Sequence, residues 1–512
     1  MNDKICGYYL DEQQKSIVLD DSNHLLVVAG AGSGKTLTIL GKIYYLVKYK
    51  NISEDEILCI SFTRASSDNL KEKIKKELLL NIPVYTFHKL GLEILKDNKA
   101  VCEIAESNSL ENIIHEFFST TILSSEFYML RVLQYFRIKK IINIKKTYLK
   151  FYNNNCEKIE ILEKIISTFI HLFKCNNYSI SDFSLFLKQT RFSFVCFRLQ
   201  KEKIFLLLTL NIYLIYQSYL EENGEIDFDD MIIKSSQLIE DGGKIRKYKY
   251  IIIDEYQDTS YIRFILIKNI LNKTGAKLMA VGDDFQSIYR FTGCDIALFL
   301  RFNSLFPDAK VMKIENTYRN SQELVSVASD FVMRNKYQIR KQLRSNKRLM
   351  KPIRLIYYKN ISETFLKLVL RIFEETQGSI LVLGRNNKDI NMLLGKNFTI
   401  GKDNKVICNE KKDIDIYYLT VHKSKGLEAD NVIIINLEDK ISGFPNQIEG
   451  DKVLRFVNQS YDSFPFSEER RLFYVALTRT KNYVYLLVPI KNQSVFVSEL
   501  VKNKKHIEIE KY

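Results

Sequence analysis

Two parallel-sheet α/β units, the first interrupted by an all-helical insertion, are the fold class that three observations predict for this 512-residue chain. Short apolar runs alternate with helical patterns at both ends of the sequence. Between Leu92 and Asn223 there is neither glycine nor proline, while Leu, Ile, Phe and Lys recur at helical intervals. A further set of strand signals begins after Pro352. The expected units are residues 1–91, the first part of the first unit; 92–223, the helical insertion; 224–315, the rest of the first unit; and 316–512, the second unit.

In order, the first unit shows a strand at 25–28, a glycine-rich turn and a helix, then a strand at 57–62 and a helix at 66–80. This is the repeated βαβ of an open parallel sheet. In the insertion, 157–173 and 201–220 read as helices; its most apolar stretch, 204–216, is interrupted by Thr209 and Asn211, is too short to span a bilayer and reads as a buried helix. Strands return at 248–254, 277–282 and 311–315 and complete the first sheet. The second unit offers strands at 353–357, 379–383, 416–419, 432–435 and 483–488, with 402–412 as an exposed loop.

A net charge of +15 and a pI near 9.1 favour a polyanionic partner or simple solubility. The eight cysteines form no C-x-x-C pair and no His/Cys cluster, which indicates neither a zinc site nor a disulfide framework and fits a reducing cytoplasm. No membrane association is expected, since the N-terminal stretch lacks a basic-then-apolar signal pattern.

The stretch AGAGSGKT (Ala29, Gly30, Ala31, Gly32, Ser33, Gly34, Lys35, Thr36) sits between a strand and a helix. Its glycines let backbone N–H groups curl around phosphate oxygens, Lys35 neutralises terminal phosphates, and the Thr36 hydroxyl can bind Mg²⁺. Ala29 stands where the strict P-loop pattern has glycine. DEYQD follows the run Tyr250, Ile251, Ile252, Ile253, and carboxylates at the end of a buried strand require a cation. Asp254 would hold Mg²⁺ and Glu255 would be the general base for a water attacking a γ-phosphate. In VGDDFQSIYRFTG, Gln286 follows another strand and can sense that phosphate, while Phe285, Tyr289, Arg290 and Phe291 interleave aromatic faces with a cation; alone, the aromatics fit core packing as well as base stacking.

Taken with these motifs, LDEQQKSIV, ISFTRASSDNL, VYTFHKL, GEIDFDDMI, IENTYRNS, YLTVHKSKGLEADNVII and EERRLFYVALTRTKNYVYLL make the chain resemble UvrD/Rep-type helicases of superfamily 1 over nearly its full length. Within that family it most resembles the helicase IV subgroup; the short interval between Arg385 and Thr420 leaves no room for the large second helical insertion of other members. The resemblance implies two RecA-like P-loop domains hydrolysing ATP with Mg²⁺ and an ATP-dependent 3′–5′ DNA helicase or translocase on single-stranded or tailed duplex DNA. By the same resemblance, Gln14 would read adenine, Tyr318 stack on it and Glu428 touch the ribose, while Arg319 and Arg479 would be arginine fingers. Phe62, Thr86, His88, Tyr289, Phe291, Arg385 and His422 would meet the single strand. The alternative is a DNA-activated ATPase subunit that gates or recruits a protein partner such as a nuclease. Two basic clusters, 336–354 and Arg137 with Lys139, Lys140, Lys145 and Lys146, fit either a phosphate track or a solvated face.

Overall fold

Leu25 to Ala29 are fully buried because strand β1 (His24–Ala29) lies inside a sheet covered on both faces. The computed structural model describes residues 4–5, 7–100, 103–190, 197–448, 450–458 and 462–511; Cys6, Cys102 and Cys196 lie outside them. With β2 (Ile57–Ile60), β3 (Val84–Tyr85), β4 (Tyr250–Ile253), β5 (Lys277–Gly282) and β6 (Lys310–Ile314), β1 forms a wholly parallel sheet of order β3-β2-β4-β5-β1-β6. The ends of β1, β4 and β5 therefore open onto one edge, where open α/β sheets bind ligands.

The insertion leaves and rejoins this unit through a parallel pair, Glu103–Ile104 with Glu225–Ile226. The helix Phe87–Asp97 crosses the boundary expected at 91/92, because Leu90 and Ile94 pack into the first unit's core. Inside the insertion the core is aromatic, with Phe169, Phe173, Phe183 and Phe205 among its buried residues. The helix Phe197–Glu222 is longer than the apolar run that marks it, and its stretch 200–222 is long and apolar enough to cross a membrane by length and composition. That corrects the expectation of a segment too short to span. Ile204, Phe205, Leu208 and Ile212 are buried in the insertion core, which accounts for the apolar composition.

The second sheet is also parallel: β7 (Ile353–Tyr358), β8 (Ile380–Gly384), β9 (Ile416–Thr420), β10 (Ala429–Ile434), β11 (Thr480–Pro489) and β12 (Ile507–Lys511), in the order β9-β8-β10-β11-β7-β12. Both sheets flanked by helices give the mixed α/β class of two RecA-like domains. The stretch 402–412 is more ordered than the expected loop. Phe398–Ile400 and Val406–Cys408 pair antiparallel, and Val406 and Cys408 are buried.

Candidate functional site

At the end of β1 the chain turns through Gly32 (φ +70°) and Gly34 (φ +79°) into the helix Lys35–Lys48, a backbone that only glycine adopts without strain. A Cβ on Gly32 would lie 2.6 Å from the Arg319 Cβ, so the second unit docks directly on this turn. Gln14, buried on the helix Glu12–Leu19, donates from Nε2 to the Ser33 carbonyl at 3.1 Å. It props the turn from behind.

At the end of β4, Glu255 takes the left-handed conformation (φ +53°), and Lys35 Nζ reaches its Oε1 and Oε2 at 3.1 and 3.2 Å. Asp254 accepts from the Glu255 N–H at 2.9 Å. Burial and the neighbouring Glu255 push the Asp254 carboxyl up to about 6. Burial works the same way on Glu255, but Lys35 and Lys425 outweigh it and hold that group at about 2. Asp258, buried and pushed up to about 6, pairs with Lys425 from the second unit. Glu255 and Asp258 are each paired with a lysine, whereas Asp254 makes no ion pair among the described residues, which suits it to the divalent cation expected there with Thr36.

Across the cleft, Arg479 is 1% exposed and donates from Nη2 to Gln286 Oε1 at 3.1 Å, from Nη1 to Leu427 O at 3.3 Å and from Nε to Val475 O at 3.0 Å. Burial and nearby Arg319 pull its guanidinium down to about 9. Arg319 donates from Nε to Glu428 Oε2 at 2.8 Å, and Tyr318 donates from its hydroxyl to Asp11 Oδ2 at 2.7 Å. One cleft of about 500 Å³ is lined by Lys35, Thr36, Glu255, Gln286, Tyr318, Arg319, Glu428 and Arg479 together with Gly32, Ser33 and Gly34. Gln14, Ala29, Gly30, Ala31 and Asp254 stand behind this lining rather than in it. Lys347 and Lys481 line the same cleft, and sequence reasoning misses both as site residues. Lys347 was hidden in the basic run, and Lys481 had no signal beyond its place two residues after Arg479.

A larger cleft of about 1660 Å³ brings together Tyr289, Phe291, Arg385 and His422. Phe291 is 56% exposed and stands edge-on to His422 at 5.5 Å, while Tyr289 stacks on Phe62 at 5.5 Å. Phe62 is thus in contact with Tyr289 but is not part of this cleft's lining. Thr86 and His88 are not among its lining residues: Thr86 caps the helix Phe87–Asp97, and His88 meets Phe228 edge-on at 5.4 Å. Arg385 is held by Glu469, with Nε at 2.9 Å and Nη2 at 2.8 Å from Oε1.

The run 336–354 does not form one basic face. Lys341 is buried against Asp283 and Asp284, Lys347 lines the smaller cleft, and Arg354 lies over the Tyr483 ring at 4.3 Å. Arg137, Lys139, Lys140, Lys145 and Lys146 are all exposed. The expectation of no His/Cys cluster is corrected, since folding brings His171, Cys175 and Asp229 together with ligand atoms within 4.8 Å. Asp229 lies too far along the chain for spacing to reveal it. His171 Nδ1 and Asp229 Oδ2 are 2.7 Å apart, a direct hydrogen bond and closer than two ligands on one tetrahedral zinc would sit.

Residues 10–307 match the family model of the UvrD/REP helicase N-terminal domain, and residues 396–489 match that of the UvrD-like helicase C-terminal domain. The chain is 27% identical to DNA helicase IV of Escherichia coli (strain K12), over 96% of this chain and 70% of that protein. It is 30% identical to ATP-dependent DNA helicase Rep of Buchnera aphidicola subsp. Acyrthosiphon pisum (strain APS), over 72% of this chain but only 52% of that protein. A probable DNA helicase of Mycoplasma pneumoniae is 25% identical over 98% of this chain and 88% of its own length.

Proposed function

The chain belongs to the UvrD/Rep helicase family, and from that premise we propose that it is an ATP-dependent DNA helicase that moves 3′ to 5′ on single-stranded DNA. The observation that carries this reading is the Arg479 to Gln286 bridge, which joins the second unit to the first inside a cleft also lined by Lys35, Thr36 and Arg319.

The polar partners around the cleft are of the kind a triphosphate would exchange. Lys35 leaves Glu255 for the terminal phosphates, and Arg319 leaves Glu428 for the γ-phosphate, so nucleotide binding frees Glu255 to take a proton from the attacking water. Mg²⁺, held by Thr36 and Asp254, would neutralise charge on the phosphate oxygens when bound. Arg479 and Arg319 then stabilise the charge that develops in the transition state, which they can do only when the two units are together. Tyr318, which lines the cleft, would stack on adenine, and Gln14 behind the turn would read it.

Coupling to DNA follows from chain proximity. Gln286, at the phosphate end, is five residues from Phe291, whose exposed ring lines the larger cleft. Tyr289 donates from its hydroxyl to the His422 carbonyl at 3.1 Å, so opening and closing of the units shifts the aromatic surface on which bases would stack. Strand displacement from a 3′-tailed and a 5′-tailed duplex, each with and without ATP, tests the proposal. Unwinding of the 3′-tailed duplex alone is expected. DNA-stimulated hydrolysis without unwinding of either would replace the helicase with a DNA-gated ATPase that acts through a partner.

A further inference from the structure

Lys341 exposes none of its side chain, and neither do the two carboxylates it pairs with, Asp283 and Asp284. Its ammonium pairs with Asp283 Oδ1, sits 2.7 Å from Asp284 Oδ1 and lies 3.5 Å from the Phe285 ring centroid. An ammonium so enclosed is no part of a phosphate track. Removing it would strand two buried anions.

The pair it neutralises stands one step from the cleft. Asp283 Oδ2 accepts from Gln286 Nε2 at 2.6 Å, which turns the amide so that Gln286 Oε1 faces Arg479 Nη2. Asp284 Oδ2 accepts from Gln338 Nε2 at 2.6 Å and from the Ile339 N–H at 2.8 Å. Gln338 in turn accepts from Arg471 at 3.3 Å, on the helix Ser467–Leu477 that leads to Arg479. Two residues after Lys341, Leu343 packs on the glycine-rich turn, where a Cβ on Gly30 would come within 2.6 Å of it.

We propose that Lys341 is a positioning residue for hydrolysis: by pairing with Asp283 and fixing that carboxylate in place, it sets the orientation of Gln286 and so the junction at which the second unit's arginine meets the nucleotide. This rests on the function proposed above. A residue that merely stabilised the fold would lower the melting temperature without changing turnover by the folded fraction. One that acts through Gln286 should lose its effect once Gln286 is gone.

The test is a double-variant cycle on the full chain, comparing wild type with Lys341→Met, Gln286→Ala and the pair, below their melting temperatures. DNA-stimulated kcat, KM for ATP and equilibrium binding of a fluorescent ATP analogue are measured for each. Lys341→Met should lower kcat roughly 10- to 100-fold, leave analogue binding within about threefold of wild type, and cost less than about twofold more in the Gln286→Ala background. Multiplicative losses in the pair, a kcat within about twofold of wild type, or loss of analogue binding in step with kcat would each overturn it. Should Lys341→Met not fold, Asp283→Asn replaces it in the cycle with the same expected non-additivity, and additive losses there overturn the proposal equally. Wild type that hydrolyses no ATP would instead refute the function itself, and this inference with it.

Discussion

Replacing Arg479 by alanine separates stability from catalysis, and both magnitudes can be worked from the contacts. The side chain satisfies the carbonyls of Val475 and Leu427 as well as Gln286 Oε1. Leaving a buried acceptor unpaired costs about 1–3 kcal/mol. Against this, the variant no longer buries a guanidinium that its surroundings already pull down to about 9. The net loss of stability is therefore modest, on the order of 1–4 kcal/mol. The catalytic loss is larger, because an arginine that stabilises a transferring phosphoryl group is worth about 10³ to 10⁵ in kcat, or roughly 4–7 kcal/mol. Single-turnover and steady-state ATPase with single-stranded DNA, run beside thermal melts and fluorescent-analogue binding, should show a folded, nucleotide-binding protein with turnover down by about three orders of magnitude. Arg479→Lys should fare little better, since one ammonium cannot span three acceptors. A folded variant turning over within about tenfold of wild type would refute the arginine's role.

Glu255→Gln should bind ATP yet lose turnover by at least about a hundredfold, measured by analogue titration beside phosphate release. Phe291→Ala should weaken single-strand binding by about 1–3 kcal/mol in a fluorescence titration at fixed salt, while its melting curve stays with wild type because the ring is 56% exposed. His88 and His422 are held down to about 4, His88 by burial and then by Arg263, His422 by burial and then by Arg385. Both stay neutral when folded but take up protons near 6.5 when unfolded, so their contribution to stability is full above about 6.5 and lost as pH falls toward 4. A His88→Gln, His422→Gln double variant should melt progressively higher relative to wild type across that window. The raised carboxyls of Asp254 and Asp258 act in the opposite sense but are common to both proteins.

Where local sequence dictates structure, the fold was legible. The apolar runs at 25–28, 250–253 and 278–281 became buried strands because a parallel sheet with helices on both faces buries both sides of each strand. The glycine-rich turn was legible because glycine takes the positive φ values at 32 and 34 without strain. Strand β12 escaped notice because Ile507 and Ile509 alternate with charged residues in a short edge strand, and its parallel partner β7 lies some 150 residues earlier. Lys341 looked like any other member of a basic run, since its burial depends on aspartates reached only by folding the chain back across the first sheet. Arg385 showed its charge but not the Glu469 carboxylate that holds it. Phe62 stacks on Tyr289 without joining the lining of the larger cleft, a pairing of rings that spacing along the chain does not specify.

ATP hydrolysis in the cleft between the two sheets is the step on which the proposed movement along DNA depends. Its most direct test is the ATPase rate of the wild-type chain with and without single-stranded DNA at one fixed ionic strength, alongside single-stranded RNA. A large stimulation by DNA, lost in Arg479→Ala, is the predicted result. A rate indifferent to nucleic acid would contradict it.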